Sequence, residues 1–213
     1  MSDFTYESQQ TTQKLETYEW DNVWWEHAGD ASRPRALLIG DSISCAYRRM
    51  VTEELSCAAY ADGFGSSKGI DNPYLLPSIE MFLQQSPRCD AILLNNGLHG
   101  WHLSTEEYRT CYQSLLQSLM ERHPGKLWGL VLTTPMRLPE DLTKFHIRND
   151  AVQERNAVVR EIAASLNLPV LDYYAVLCER PEVWSEDGVH LKELGYRILA
   201  KICAAFLREQ LSL

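Results

Sequence analysis

Two short motifs near opposite ends of the chain carry residues suited to nucleophilic catalysis. Ser42, in Gly40-Asp41-Ser42, follows a short apolar run and precedes a helical stretch. A serine at such a turn exposes its hydroxyl, and its backbone N–H lies at a helix N-terminus, which favours developing negative charge. Ser42 could equally cap the helix, a role that serine often fills. Gly-Asp-Ser alone leaves both roles open.

The second motif, Asp187-Gly188-Val189-His190, lies in a polar loop just before the last helical segment. A serine hydroxyl is a weak nucleophile until a base removes its proton, and a carboxylate that orients the imidazole completes the relay. Asp187 and His190 can supply both groups from one loop. His190 could instead cap the helix or bind a metal, but a metal site needs further ligands at a suitable spacing, and none accompanies it. We therefore predict a catalytic set of Ser42, Asp187 and His190 without a metal.

Two further loops contain hydrogen-bond donors of the kind that stabilise an oxyanion in acyl transfer. They span residues 63–71 and 95–100. A glycine presents its N–H with no side chain in the way, and an asparagine amide offers a second kind of donor. Ordinary turn chemistry explains either loop taken alone. Both loops, however, follow predicted strands, which favours a shared role at one edge of a sheet.

Short apolar runs that end in turn residues predict the strands that position these loops. There are five such runs, at residues 36–39, 57–60, 91–94, 127–132 and 169–172. Segments with helical periodicity lie between them, and this alternation predicts right-handed βαβ units and a parallel sheet covered on both faces. Active sites of such sheets lie at the carboxyl ends of the strands. We predict an α/β fold, a three-layer α/β/α sandwich with a five-stranded parallel sheet.

The first 35 residues differ from the rest of the chain in being polar and aromatic, with Trp20, Trp24 and Trp25 beside Tyr18. Aromatic side chains contribute large buried areas. We predict that residues 1–35 form an N-terminal arm that packs on a domain formed by residues 36–213. A lid or a dimer-exchange arm near the active site is the alternative that the sequence leaves open.

Composition excludes several classes of protein. The formal net charge of -9, without a cluster of Lys and Arg, argues against a nucleic-acid binder. No apolar run approaches the ~20 residues needed to cross a bilayer, and the N-terminus lacks the basic start and apolar core of a secretory signal. Six scattered cysteines without a CxxC motif indicate buried free thiols. We therefore expect a cytoplasmic protein that binds neither nucleic acid nor a membrane.

Taken in order, these motifs resemble the four blocks of the GDSL/SGNH hydrolase family. The blocks are Gly40-Asp41-Ser42-Ile43, Gly69, the asparagine-bearing loop at 95–100, and Asp187-x-x-His190, and they span nearly the whole chain from residue 36 onward. The resemblance implies a flavodoxin-like sheet, ester or thioester hydrolysis through an acyl-enzyme, and no cofactor. It also implies that the N–H groups of Ser42 and Gly69 and an asparagine amide form the oxyanion hole.

The third block departs from the family pattern. Asn95-Asn96-Gly97-Leu98-His99 replaces the usual Gly-x-Asn-Asp and looks like a variant Asn-x-Gly-x-His form. We place the oxyanion amide on Asn95, with Asn96 as the alternative. His99 either lines the substrate pocket or forms a hydrogen bond within the loop, and an imidazole oxyanion donor is a third reading.

Other catalytic or nucleotide-binding motifs fail at stated residues. The third glycine of GxGxxG would fall at Lys68, and the last position of G-x-S-x-G is Ser44. The resemblance implies a serine hydrolase of carboxylic esters. Short strands, a shallow site expected at the sheet edge, and Trp101 and Trp184 favour a short acyl group, with O-acetyl groups on carbohydrates as one substrate class. Both tryptophans could instead belong to the core. An acyltransferase with the same triad and a non-catalytic binding module are the alternatives. The expected partners are a small-molecule or carbohydrate ester and a second copy of the chain in a homo-oligomer.

Overall fold

A computed structural model describes residue 15, residues 18–86 and residues 88–213. The first part of the predicted N-terminal arm therefore lies outside the described residues. The strands are β1 (Asp21–Trp24), β2 (Arg35–Gly40), β3 (Tyr60–Ser66), β4 (Ala91–Leu94), β5 (Leu127–Leu132), β6 (Arg137–Leu138), β7 (Asp141–Phe145) and β8 (Val170–Asp172). Six of them form one sheet in the order β1-β3-β2-β4-β5-β8, and β6 and β7 form a separate antiparallel hairpin.

Helices cover both faces of the sheet. They are α1 (Ser42–Glu54), α2 (Leu75–Gln85), α3 (Thr105–Arg122), α4 (Asn149–Leu166), α5 (Tyr173–Leu177) and α6 (Glu193–Leu211). One apolar core lies between the sheet and helices α1, α5 and α6. A second core lies between the other face and helices α2, α3 and α4. The predicted three-layer α/β/α sandwich is confirmed.

The sheet differs from the prediction in one strand. All five predicted strands are present and parallel, but β1 adds a sixth, antiparallel to β3. The second predicted strand, at 57–60, is displaced to Tyr60–Ser66, because Gly63 and Gly65 belong to the strand and not to a loop. A Cβ atom at Gly63 would lie 2.3 Å from Cδ of Arg48, and one at Gly65 would lie 2.1 Å from Sγ of Cys45. Both glycines thus let α1 pack closely on β3.

The described part of the N-terminal arm is held to the domain by specific contacts. The Arg35 guanidinium forms a buried ion pair with Asp62, with 2.6 Å between Nη2 and Oδ1, and the backbone N–H of Glu26 donates to the same carboxylate at 2.9 Å. The Trp25 ring stacks on Phe82 with 4.7 Å between centroids. These contacts attach the residues that follow β1 to β3 and α2.

Two further predictions concern the burial of the cysteine thiols and the ability of a helix to span a membrane. All six cysteines are free thiols. Cys203 is buried, Cys57 is exposed and the other four are partly buried, so the prediction of buried thiols is wrong at Cys57 and fully confirmed only at Cys203. Within the part of the chain that the structure describes, no helix has the length and apolar character needed to span a bilayer.

Candidate active site

Ser42 lies at the turn that joins β2 to α1. The strand ends at Gly40, and the Asp41 carboxylate caps the helix by accepting a hydrogen bond from the Ile43 N–H at 2.9 Å. Ser42 is the first residue of α1, where backbone N–H groups have no acceptor within the helix. Because Asp41 takes the capping role, the Ser42 hydroxyl is left for another partner, which resolves the alternative raised by the sequence.

That partner is His190. Nε2 of His190 lies 2.8 Å from Oγ of Ser42, and Nδ1 of the same ring lies 2.6 Å from Oδ2 of Asp187. A proton on Nδ1, donated to the carboxylate, leaves Nε2 as the acceptor for the Ser42 O–H. The three residues predicted from two distant motifs thus form one hydrogen-bonded relay with the geometry that nucleophilic catalysis requires.

The Asp187 carboxylate is held as an anion. Burial raises its pKa, but this effect is outweighed by the hydrogen bonds from the His190 side chain, from the Ser185 hydroxyl and from the backbone N–H groups of Val189 and His190. Oδ1 accepts three of these bonds, at 2.7 Å from Ser185 and at 2.9 Å from each N–H. The pKa of Asp187 therefore lies well below its ordinary value, and the charge can orient and stabilise the imidazole.

The loop that carries Asp187 and His190 is a tight turn braced by the β6–β7 hairpin. Gly188 has a φ of +70°, and a Cβ atom there would lie 2.2 Å from the carbonyl oxygen of Arg137. The Arg137 N–H donates to the Gly188 carbonyl at 2.7 Å. Glycine is required here both by its backbone conformation and by this contact. The hairpin at residues 137–145 was not predicted, and it fixes the loop from outside.

Gly69 lies in a loop that packs against the third block. A Cβ atom on Gly69 would lie 2.9 Å from Cα of Gly100, so the two backbones are in close contact. The arm also holds this loop, because the Glu19 carboxylate accepts hydrogen bonds from the Ser67 hydroxyl at 2.7 Å and from the Asn72 amide at 3.0 Å. The Gly69 loop is thus fixed on one side by the arm and on the other by residues 95–100.

The prediction that Asn95 supplies the oxyanion amide disagrees with the structure. Nδ2 of Asn95 donates to the Val131 carbonyl at 2.9 Å and to Oγ1 of Thr133 at 3.0 Å. Since a primary amide has two N–H groups, both are used at the end of β5. Asn95 therefore joins β4 to β5 and has no N–H left for a substrate oxygen.

Asn96 and His99 are the other two polar side chains predicted in the third block. The buried Asn96 amide donates to the carbonyl of Lys68 at 2.8 Å, directly before Gly69. His99 is 8% exposed. Burial lowers its pKa, Asp41 and Glu19 raise it, and Arg155 and His190 lower it further, with a net downward shift. The imidazole of His99 is therefore biased towards its neutral form.

Arg155, on α4, organises this loop and was missed from the sequence. Its guanidinium donates to the carbonyls of Gly97, His99 and Gly100 at 3.0, 2.7 and 2.7 Å, and it is 3% exposed. A helical arginine usually indicates a solvent-exposed face. A signal was nevertheless present, because Arg155 lies three residues after Val152 and four before Val159, on the apolar side of the helix.

Two other sequence expectations concern sugars and metals. Trp184 is fully buried, which agrees with the core alternative and not with contact to a sugar, whereas Trp101 is partly exposed and follows His99 and Gly100 in the chain. Within residues 18–86 and 88–213, no group of three His, Cys, Asp or Glu side chains is arranged to hold a metal ion.

Comparisons with known proteins identify the family and the fold. The GDSL-like lipase/acylhydrolase family model matches residues 38–198. No curated protein sequence matches the chain. Similar solved structures include an acetyl xylan esterase, 18% identical with a TM-score of 0.65, covering 81% of this chain and 99% of that one. A carbohydrate acetylesterase from Sinorhizobium meliloti is 13% identical with a TM-score of 0.66, covering 83% and 99%. A GDSL-like lipase from Bacteroides thetaiotaomicron is 15% identical with a TM-score of 0.65, covering 82% and 88%.

Proposed function

The chain belongs to the GDSL-like lipase/acylhydrolase family and is a carboxylic ester hydrolase, and we propose that it removes short acyl groups, with O-acetylated carbohydrates as its substrate class. The observation that carries this proposal is the relay in which His190 contacts both the Ser42 hydroxyl and the Asp187 carboxylate. Neither motif alone would activate the serine, because its hydroxyl is a weak nucleophile until a neighbouring base removes the proton.

Acylation begins with proton transfer from Ser42. As Oγ forms a bond to the ester carbonyl carbon, its proton passes to Nε2 of His190, and the carbonyl π electrons move to the oxygen. Asp187 stabilises the resulting imidazolium. When the tetrahedral intermediate collapses, the bond to the alcohol oxygen breaks and His190 returns the proton to that oxygen. The alcohol leaves, and the acyl group remains on Ser42.

Deacylation repeats these steps with water. His190 takes a proton from the attacking water, the ester bond to Ser42 breaks, and the proton returns to Oγ. In both halves the oxyanion needs donors that are already in position. The Ser42 N–H at the start of α1 and the Gly69 N–H are the proposed backbone donors, and the helix N-terminus adds favourable electrostatic potential.

One feature of the described residues supports a short acyl group. The close contact of Gly69 with Gly100 closes the space between those two loops. The names of two similar structures, an acetyl xylan esterase and a carbohydrate acetylesterase, add support for acetyl esters of sugars.

A substrate series tests this proposal. We expect kcat/KM for p-nitrophenyl esters to fall steadily from acetate to octanoate, and acetate to be released from acetylated xylo-oligosaccharides. Adding a free sugar alcohol while measuring acetate separates hydrolysis from acyl transfer, because transfer would lower acetate release and yield a new ester. Equal or greater activity on octanoate, or no acetate from any acetylated sugar, would contradict the proposed substrate class.

A further inference from the structure

The asparagine amides of the third block are engaged within the protein. Both N–H groups of Asn95 are donated to the end of β5. The Asn96 amide donates one hydrogen bond to the carbonyl of Lys68 and so braces the Gly69 loop. A buried amide that holds backbone in place is constrained by that bond. These contacts favour another side chain of the loop as the oxyanion donor.

Neither ring nitrogen of His99 has a hydrogen-bond partner among the described residues. Its Nδ1 atom is buried without a hydrogen bond, and none that is described involves Nε2. Buried polar groups in native proteins are almost always paired, so an unpaired one needs an explanation. His102, three residues later, is also unpaired at Nδ1, but its Nε2 lies 2.9 Å from Oδ2 of Asp71.

The loop that carries His99 lies next to the turn that carries Ser42. It follows β4, which pairs in parallel with β2, and the Asn95 N–H donates to the Ile39 carbonyl at 2.9 Å, at the end of the strand that leads into Ser42. Asp41 and His190 also influence the pKa of the His99 imidazole. The next residue, Gly100, touches Gly69. Arg155 fixes the backbone by binding the carbonyls of Gly97, His99 and Gly100. The ring is thus carried by a rigid segment between the nucleophile and the Gly69 loop.

We infer that an imidazole N–H of His99 donates a hydrogen bond to the oxyanion, in the place where the family pattern has an asparagine amide. This inference rests on the proposed function and adds a catalytic residue to it. A neutral imidazole carries one N–H, so it can stabilise the negative oxygen without exchanging a proton. His190 is already engaged by Ser42 and Asp187, which leaves His99 free of the acid–base role.

Amide substitutions at position 99 test the inference. We expect His99→Ala to lower kcat on p-nitrophenyl acetate by about 10²–10³-fold, the usual effect of removing one oxyanion donor, with little change in KM. His99→Gln or His99→Asn, which restore an amide N–H near Nε2 or Nδ1, should recover at least about tenfold of that loss. The inhibition constant of a boronic acid, which forms a tetrahedral anionic adduct with serine, should rise in His99→Ala by about the same factor as kcat/KM falls.

His123→Ala is the matched control, since this histidine contacts Glu80 at 3.1 Å and lies beyond the far end of α3, about 27 Å along the helix from the third block. We expect it to match the parent in kcat and in boronate inhibition. The inference is overturned if His99→Ala keeps kcat within threefold of the parent, or if its boronate inhibition is unchanged. The inference is also overturned if both amide variants melt at the same temperature as the parent and neither recovers activity. Failure of the parent itself to react with a fluorophosphonate would instead contradict the proposed function.

Discussion

Nε2 of His190 lies 2.8 Å from Oγ of Ser42, although 148 positions separate the two residues in the chain. Ser42 begins α1, and His190 stands just before α6. These two helices pack side by side in one core on the same face of the sheet. The contact between the proposed nucleophile and base therefore depends on the packing of the first helix against the last, and each residue owes its place to the loop at the start of its own helix.

Replacing Asp187 should impair the relay without abolishing attack by serine. Asp187→Asn removes the charge and places an N–H where four donors now converge, which favours the wrong tautomer of His190. We expect kcat on p-nitrophenyl acetate to fall by up to about 10⁴-fold, and less than in Ser42→Ala. Glu186→Gln, at the exposed neighbouring carboxylate, is the control and should retain parent activity. A kcat for Asp187→Asn within tenfold of the parent would rule out the orienting role.

The turn at Gly188 should tolerate no side chain. In Gly188→Ala the φ of +70° is strained, and the new methyl group overlaps the Arg137 carbonyl. We expect the free energy of unfolding to decrease by at least about 1–2 kcal/mol. We also expect kcat to fall, because Asp187 and His190 flank the turn. Gly125→Ala separates the effect of backbone strain from the effect of the contact with Arg137. Gly125 has a φ of +78° and no atom within 4 Å of its Cβ position. It should lose similar stability from strain and keep its activity. Equal activity of the Gly188 and Gly125 variants would show that the hairpin contact does not hold the catalytic turn.

The triad and the parallel strands could be predicted because their signals are local. Gly40-Asp41-Ser42 and Asp187-x-x-His190 are contiguous motifs, and the buried strands are short apolar runs. The strand β3 was displaced because Gly63 and Gly65 look like turn residues in isolation. Their role is to make room for Arg48 and Cys45 of α1, a relationship between segments that no local pattern contains. The sixth strand, β1, is likewise defined by its pairing with β3, since its own residues are mostly exposed.

Asn95 should prove to be a structural residue. Asn95→Ala removes the hydrogen bonds to Val131 and Thr133, and we expect a loss of about 1 kcal/mol or more in unfolding free energy, with kcat reduced less than tenfold. Asn156→Ala is a matched comparison, because Asn156 braces both the N–H and the carbonyl of Thr133, at 2.8 and 2.9 Å. Chemical denaturation and steady-state kinetics on both variants give the two quantities. A loss of 10²-fold or more in kcat for a stable Asn95→Ala protein would restore Asn95 as an oxyanion donor.

Stability should fall as the solution is acidified just below the ordinary histidine pKa of about 6.5. Burial lowers the pKa of His99, so in this range the unfolded chain binds a proton that the native protein does not, and the free energy of unfolding decreases as pH falls towards the folded pKa. Asp41 and Glu19 oppose this shift, while Arg155 and His190 reinforce it. The difference between the unfolding free energies of the parent and of His99→Asn, measured across this pH range, isolates the contribution of His99 protonation. Parallel profiles for the two proteins would contradict it.

The third block marks the limit of sequence reasoning at the site. Asn95 was chosen because an asparagine is expected there, but its amide points to the β5 end, and only the pairing of β4 with β5 makes that carbonyl available. Arg155 was missed because its three acceptors are backbone carbonyls 55 to 58 residues away. Such partners leave no trace in local composition. His99 could be named from the motif, but its unpaired state is visible only in the folded chain.

Reaction with a fluorophosphonate is the most direct test of Ser42 as the nucleophile. Oγ of Ser42 should displace fluoride from phosphorus, and mass spectrometry of the digested protein should locate the adduct on Ser42 alone. We expect no adduct in Ser42→Ala and a fall of at least about 10³-fold in its kcat/KM on p-nitrophenyl acetate. A Ser42→Ala protein that hydrolyses this ester at the parent rate, or an adduct on a different serine, would contradict it.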